Sequence, residues 1–100
     1  MFSIDRKKDG DNLYFSISGR LDTTTSPELE SAIKEEMDNT ASLTIDMENL
    51  DYISSAGLRV LLLAQKKMNE RDGTLTVKKP NMVIREIFEM TGFNEFLTIE

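Results

Sequence analysis

Between Gly57 and Gln65 the chain places Leu58, Val60, Leu61, Leu62, Leu63 and Ala64 with only Arg59 among them. A helix that is apolar nearly all round has to be packed on more than one side. The spacing predicts such a helix from about Gly57 to Glu70. It follows directly on Leu50, Tyr52 and Ile53, which read as the end of a strand. A strand that feeds a buried helix opens a strand–helix–strand unit, and that unit sets two strands parallel. A chain of 100 residues supports one core and is too short for two, so residues 1–100 are expected to form a single domain.

The remaining elements fall on either side of this unit. Asp9-Gly10-Asp11-Asn12 is a dense turn signal. Phe2-Ser3-Ile4 precedes it, and the alternation of Leu13, Phe15 and Ile17 with polar neighbours follows it, so a hairpin is expected, its second strand closed by Gly19. A polar loop, 19–27, leads to a first helix with Ser26 as N-cap, Pro27 at the first helical position and Leu29, Ile33 and Met37 on the buried stripe. After a turn at Asn39-Thr40, Leu43, Ile45 and Met47 alternate as a third strand. Thr74-Leu75-Thr76-Val77 is a fourth, beyond Arg71-Asp72-Gly73. Pro80-Asn81 opens a third helix that Gly92 stops, and Phe93, Phe96, Leu97 and Ile99 supply a terminal strand or an apolar tail. Met47, Met68, Met82 and Met90 are expected in the core, together with Phe88 and Phe93. The fold class is α/β: a small mixed sheet of four to five strands with about three helices on one face.

What is absent narrows the chemistry. The chain has no His, which excludes a Ser-His-Asp triad and a histidine general base, and no Cys, which with the missing His makes a zinc site improbable. The five glycines are widely spaced, so no phosphate-cradling loop is seen. Neither a cofactor, a metal nor a catalytic residue is expected; the chain reads as a binding module and not an enzyme. The net charge of −6 lies wholly in residues 1–50, with eleven acids against five bases, while residues 51–100 hold seven of each. No basic cluster marks a nucleic-acid or anionic-membrane surface. No apolar run approaches the roughly 20 residues of a membrane helix, and the first residues lack a signal-peptide core. A cytoplasmic location is expected.

Two hydroxyls, Ser54 and Ser55, stand at the break before the central helix. A serine there caps the first turn by accepting from its unpaired N–H groups. The same donors and the positive end of the helix dipole also suit a phosphate, so the position supports either a plain cap or a phosphorylation switch. By local physics alone the plain cap is the commoner role. Asp22-Thr23-Thr24-Thr25 is likewise open to two readings, a solvated turn or a hydrogen-bonded binding loop.

The run Asp46-Met47-Glu48-Asn49-Leu50-Asp51-Tyr52-Ile53-Ser54-Ser55-Ala56-Gly57-Leu58-Arg59 resembles the STAS domain family, and within it the stand-alone bacterial anti-sigma factor antagonists. Gly19-Arg20-Leu21-Asp22 with its threonines, and the tail Ile87-Phe88-Glu89-Met90-Thr91-Gly92-Phe93, extend the likeness over the chain. The resemblance implies a module that, unmodified, binds an anti-sigma factor of the GHKL ATPase type, which is also its serine kinase, and so releases a sigma factor for transcription. Phosphorylation would end that binding, and a metal-dependent serine phosphatase would restore it. The modified serine in the family lies two residues before the Gly-Leu pair, here Ser55. Many members have Asp immediately before it where this chain has Ser54, so Ser54 stands as the second candidate. Carried over to this chain, the partner-binding residues are Asp22, Thr23, Thr24, Ser54, Ser55, Ala56, Gly57, Leu58 and Arg59. Relatives that act without phosphorylation imply the alternative, a ligand-binding regulatory domain or a subunit of a transport complex.

Overall fold

The computed structural model describes residues 1–38 and 40–100. The hairpin pairs β1 (Ser3–Asp9) with β2 (Asn12–Leu21) antiparallel about the turn at Gly10, whose φ is 64°. Helix α1 (Ser26–Glu36) leads to β3 (Ser42–Ile53), α2 (Ser55–Glu70) to β4 (Thr74–Lys78), and α3 (Met82–Thr91) with a short 3₁₀ turn at Phe93–Glu95 to β5 (Thr98–Ile99). The five strands stand in chain order, and every pair after the hairpin is parallel. Sequential parallel strands joined by right-handed crossovers carry their helices over the same face. The burial agrees: Leu13, Leu43 and Leu75 pair in register, as do Phe15, Ile45 and Val77, and all six are buried. Tyr14, Thr44 and Thr76, the intervening register, line the polar face.

Two irregularities shape β3. Its register against β2 slips between Ser16 and Ser18 and again between Gly19 and Arg20. Each slip adds a residue on β3, and an added residue reverses the inward phase. The buried positions accordingly shift from Leu43, Ile45 and Met47 to Leu50 and then Ile53. The last register pair, Leu21 with Ile53, is buried on both strands and brings β2 and β3 to a common end.

Several boundaries differ from the sequence expectation. Gly19 does not close β2; it sits inside the strand at φ 91°, where a Cβ would lie 2.2 Å from the Met1 carbonyl oxygen. Thr25 occupies the cap position of α1, so Ser26 is the helix's first residue and Pro27 its second, each one place later in the helix than expected. Helix α2 begins at Ser55, earlier than Gly57. Asn39 of the expected Asn39-Thr40 turn lies outside the described residues. Met47 and Met68 are in the core, but Met82 is 77% and Met90 85% exposed. In α3 the buried residues are Ile84 and Phe88, and each exposed Met is two residues from one of them, about 200° around the helix. Phe93 is partly buried against the core, whereas Phe96 is exposed.

Candidate functional site

The loop after β2 is ordered by its own acid. Asp22 Oδ1 accepts from the backbone N–H groups of Thr24 at 3.0 Å and Thr25 at 3.2 Å, and from the Thr25 hydroxyl at 3.2 Å. Thr25 Oγ1 donates to the Arg20 carbonyl at 2.7 Å and accepts from Asp22 N–H. Ser26 Oγ donates to the Asp22 carbonyl at 2.6 Å from a buried position. The Thr25 N–H holds the Asp22 carboxyl below its ordinary range, against a smaller desolvation effect and helped by Thr24, the Thr25 hydroxyl and the charge of Arg20. Asp22 is thus an acceptor already engaged on one oxygen, with Thr23 and Thr24 exposed beside it.

The strand end next door carries the two serines. Ser54 N–H donates to the Leu21 carbonyl at 2.9 Å, which ties the start of α2 to the root of the Asp22 loop. Ser54 occupies the cap position with extended backbone, but its hydroxyl makes no capping bond. That oxygen is shielded from solvent and has no hydrogen-bond partner among the described residues. The first intrahelical bond runs from Leu58 N–H to the Ser54 carbonyl at 2.9 Å. The N–H groups of Ser55, Ala56 and Gly57 have no partner among the described residues, so the helix start keeps its donors free. Ser55 is exposed immediately above them. An anion on its side chain would meet both those donors and the helix dipole.

Gly57 explains how α2 gets so close to the strands. A Cβ there would lie 2.8 Å from Ile53 Cγ1 and 2.9 Å from Leu21 Cγ, the two side chains that end β3 and β2. Leu58 is buried at 6% exposure, so Gly57 and Leu58 seat the segment from below. The outward residues are Ser55 and Arg59, with Ala56 half-buried, and together with Thr23 they line a shallow depression. The structure therefore brings the Asp22 loop and the Ser54–Arg59 segment to one end of the sheet. It divides the nine candidates into an outer set around Thr23, Ser55 and Arg59 and an inner set of Ser54, Gly57 and Leu58.

One feature at this end escapes a reading of the sequence. Arg20 lies with its guanidinium carbon 4.5 Å from the centroid of the Tyr52 ring. The two are register partners in β2 and β3, one step before the buried Leu21–Ile53 pair, and so lie on the uncovered face. They are 32 positions apart in the chain, and only the register after the second bulge pairs them.

Comparison with known proteins adds the relatives. The STAS domain model matches residues 3–100. BtrV of Bordetella bronchiseptica, provisionally named an anti-sigma factor antagonist, is 35% identical over 82 residues, covering 81% of this chain and 71% of that protein. The anti-sigma-B factor antagonist of Staphylococcus aureus is 30% identical over 84 residues, covering 83% and 78%. Among solved structures, an anti-sigma factor antagonist from Mycobacterium paratuberculosis superposes with a TM-score of 0.88 at 24% identity, over 99% of this chain and 85% of that one. That last likeness speaks for the fold.

Proposed function

The chain belongs to the STAS domain family, and from that premise we propose that it is an anti-sigma factor antagonist switched by phosphorylation of Ser55. In its unmodified form it binds an anti-sigma factor with GHKL-type serine kinase activity and so frees a sigma factor for transcription. A metal-dependent serine phosphatase returns the modified form to the binding state. The module itself catalyses nothing; it is a binding partner and a kinase substrate.

The observation that carries this reading is the contrast between the two hydroxyls. Ser55 is exposed on the free N-terminal turn of α2, whereas the Ser54 oxygen is shielded from solvent. A kinase has to reach the oxygen it modifies, so Ser55 is the acceptor and Ser54 is not. Phosphate adds about −1.5 to −2 charges. The helix start can hold that charge with its own N–H groups, so folding survives. Binding does not survive, because the dianion sits where the partner must dock and has to be desolvated there.

The test is incubation with the cognate kinase and ATP, followed by intact-mass measurement and phosphopeptide mapping. One phosphate on Ser55 is expected for the wild type and none for Ser55→Ala, which should still bind the anti-sigma factor. Mapping of the phosphate to Ser54, or undiminished binding by a protein carrying phosphate on Ser55, would overturn the assignment.

A further inference from the structure

The chain has five arginines, and their guanidinium groups divide by position. Arg6 is ion-paired with Glu35 and Glu36, Arg71 donates to the Met37 carbonyl, and Arg85 donates to the Pro80 carbonyl. Among the described residues, Arg20 and Arg59 are the arginines whose guanidinium groups have neither a hydrogen bond nor an ion pair. Both stand at the end of the sheet that carries Asp22 and Ser55, Arg20 from the sheet side and Arg59 from the helix side. In a chain of net charge −6, acidic partners within the fold are not scarce. Arg20 acts on Asp22 through its charge without an ion pair, so the N–H groups of both arginines are available for carboxylates from outside.

Arg20 is also prepared for that contact. Its guanidinium carbon stands over the Tyr52 ring, a cation–π contact that restricts the side chain. A held guanidinium offers two parallel N–H groups to a carboxylate and loses less freedom on binding than a free one. Arginine and tyrosine are also the residue types over-represented where interfaces concentrate their energy. The carbonyl of the same residue accepts from Thr25 Oγ1, which ties its backbone to the Asp22 loop.

We infer that the Arg20–Tyr52 pair is a specificity-determining anchor of the docking face, and that it takes a carboxylate of the anti-sigma factor. This rests on the reading that the protein binds such a factor. The pair extends the face beyond the serine segment onto the uncovered side of the sheet. There it adds an electrostatic contact that the neutral Thr23 and Ala56 do not offer. Because the contact is between charges, it should quicken association and weaken as salt rises.

The experiment measures binding of the purified anti-sigma factor kinase, with nucleotide, to the unmodified wild type and to Arg20→Gln, Arg20→Glu and Tyr52→Leu across a salt series. Arg20→Gln should bind about tenfold more weakly and Arg20→Glu about a hundredfold, the scale of losing and then reversing an interfacial charge. Tyr52→Leu, which keeps the charge but removes its platform, should lose less than Arg20→Gln. The salt dependence of Arg20→Gln should be shallower than that of the wild type. An Asp or Glu on the partner changed to Arg should restore binding to Arg20→Glu, a rescue that a merely structural residue would not produce. Equal binding by wild type and Arg20→Glu, with equal melting temperatures, would overturn the inference and leave the functional reading intact. Absence of binding by the wild type itself would overturn both.

Discussion

Asp22 shows how much of the site is set by a single side chain. Its carboxylate holds three loop donors, two backbone N–H groups and one hydroxyl, so the loop's shape depends on that oxygen staying ionised. With the folded pKa below the ordinary value, the unfolded chain binds the proton more readily. The stabilisation is therefore fully present above the ordinary carboxylate range and is lost as pH falls through the folded value. Asp22→Asn keeps an acceptor oxygen but does not titrate. Urea unfolding from neutral pH down to about pH 3 should show a shallower acid loss for Asp22→Asn than for the wild type, since the ordinary Asp value is 3.8. Equal acid slopes would mean the loop does not depend on the charge. Residue types alone marked Asp22 and its threonines as a polar turn but left open whether it is merely solvated or internally hydrogen-bonded. The separate fates of Ser54 and Ser55 were not, because they depend on where α2 starts and which hydroxyl it covers.

At the scale of elements, α2 divides its labour more sharply than its composition suggests. An apolar run with leucines at 58, 61, 62 and 63 looks uniformly buried in one dimension. Packing against β3 and β4 on one side and α1 on another buries Leu58, Val60, Leu61, Ala64 and Met68, but leaves Leu62 half-covered and Leu63 40% exposed. Leu61→Ala should cost about 2–5 kcal/mol, the range for a buried leucine. Leu62→Ala should cost less than about 2 kcal/mol, since part of its surface already meets water. Arg59→Ala, exposed and unpaired among the described residues, should change stability by no more than about 0.5 kcal/mol while weakening partner binding. Urea denaturation of the three variants beside a binding assay checks the order, and a loss from Arg59→Ala as large as that from Leu61→Ala would contradict it. The strand–helix–strand core was readable from the period of its apolar residues. The bulges of β3 were not, and they set the register that stacks Arg20 on Tyr52 and brings Leu21 beneath Gly57. Likewise the exposure of Met82 and Met90 follows from how α3 is rotated against the sheet, which residue type does not encode.

For the molecule as a whole, the proposed switch raises the question whether phosphate on Ser55 would act by charge at a distance or by contact. The unmodified protein already carries −6, and a phosphoserine takes it to about −7.5 to −8. If general repulsion blocked binding, salt would restore it, because exposed charges beyond about 8 Å are screened at physiological ionic strength. The geometry favours contact instead: Ser55 shares one depression with Thr23 and Arg59, and free N–H groups lie directly beneath it. A phosphate there would occupy the proposed docking face and stand one helical turn from Arg59, close enough to draw that side chain away from the partner. The carboxylates that would pair with the two arginines would also oppose the new anion. Phosphorylated protein should therefore remain unable to bind at roughly 0.5 M salt, where the screening length is only a few ångström. Its β2, β3 and β4 amides should keep the hydrogen-exchange protection of the unmodified form, with changes confined to the first turn of α2 and the Asp22 loop. Ser55→Asp, smaller and singly charged, should fold equally well and lose only part of the affinity, and salt should recover more of that loss than of the phosphate's. Recovery of full binding by the phosphoprotein in high salt would assign the switch to the field of the whole molecule and not to the contact at Ser55.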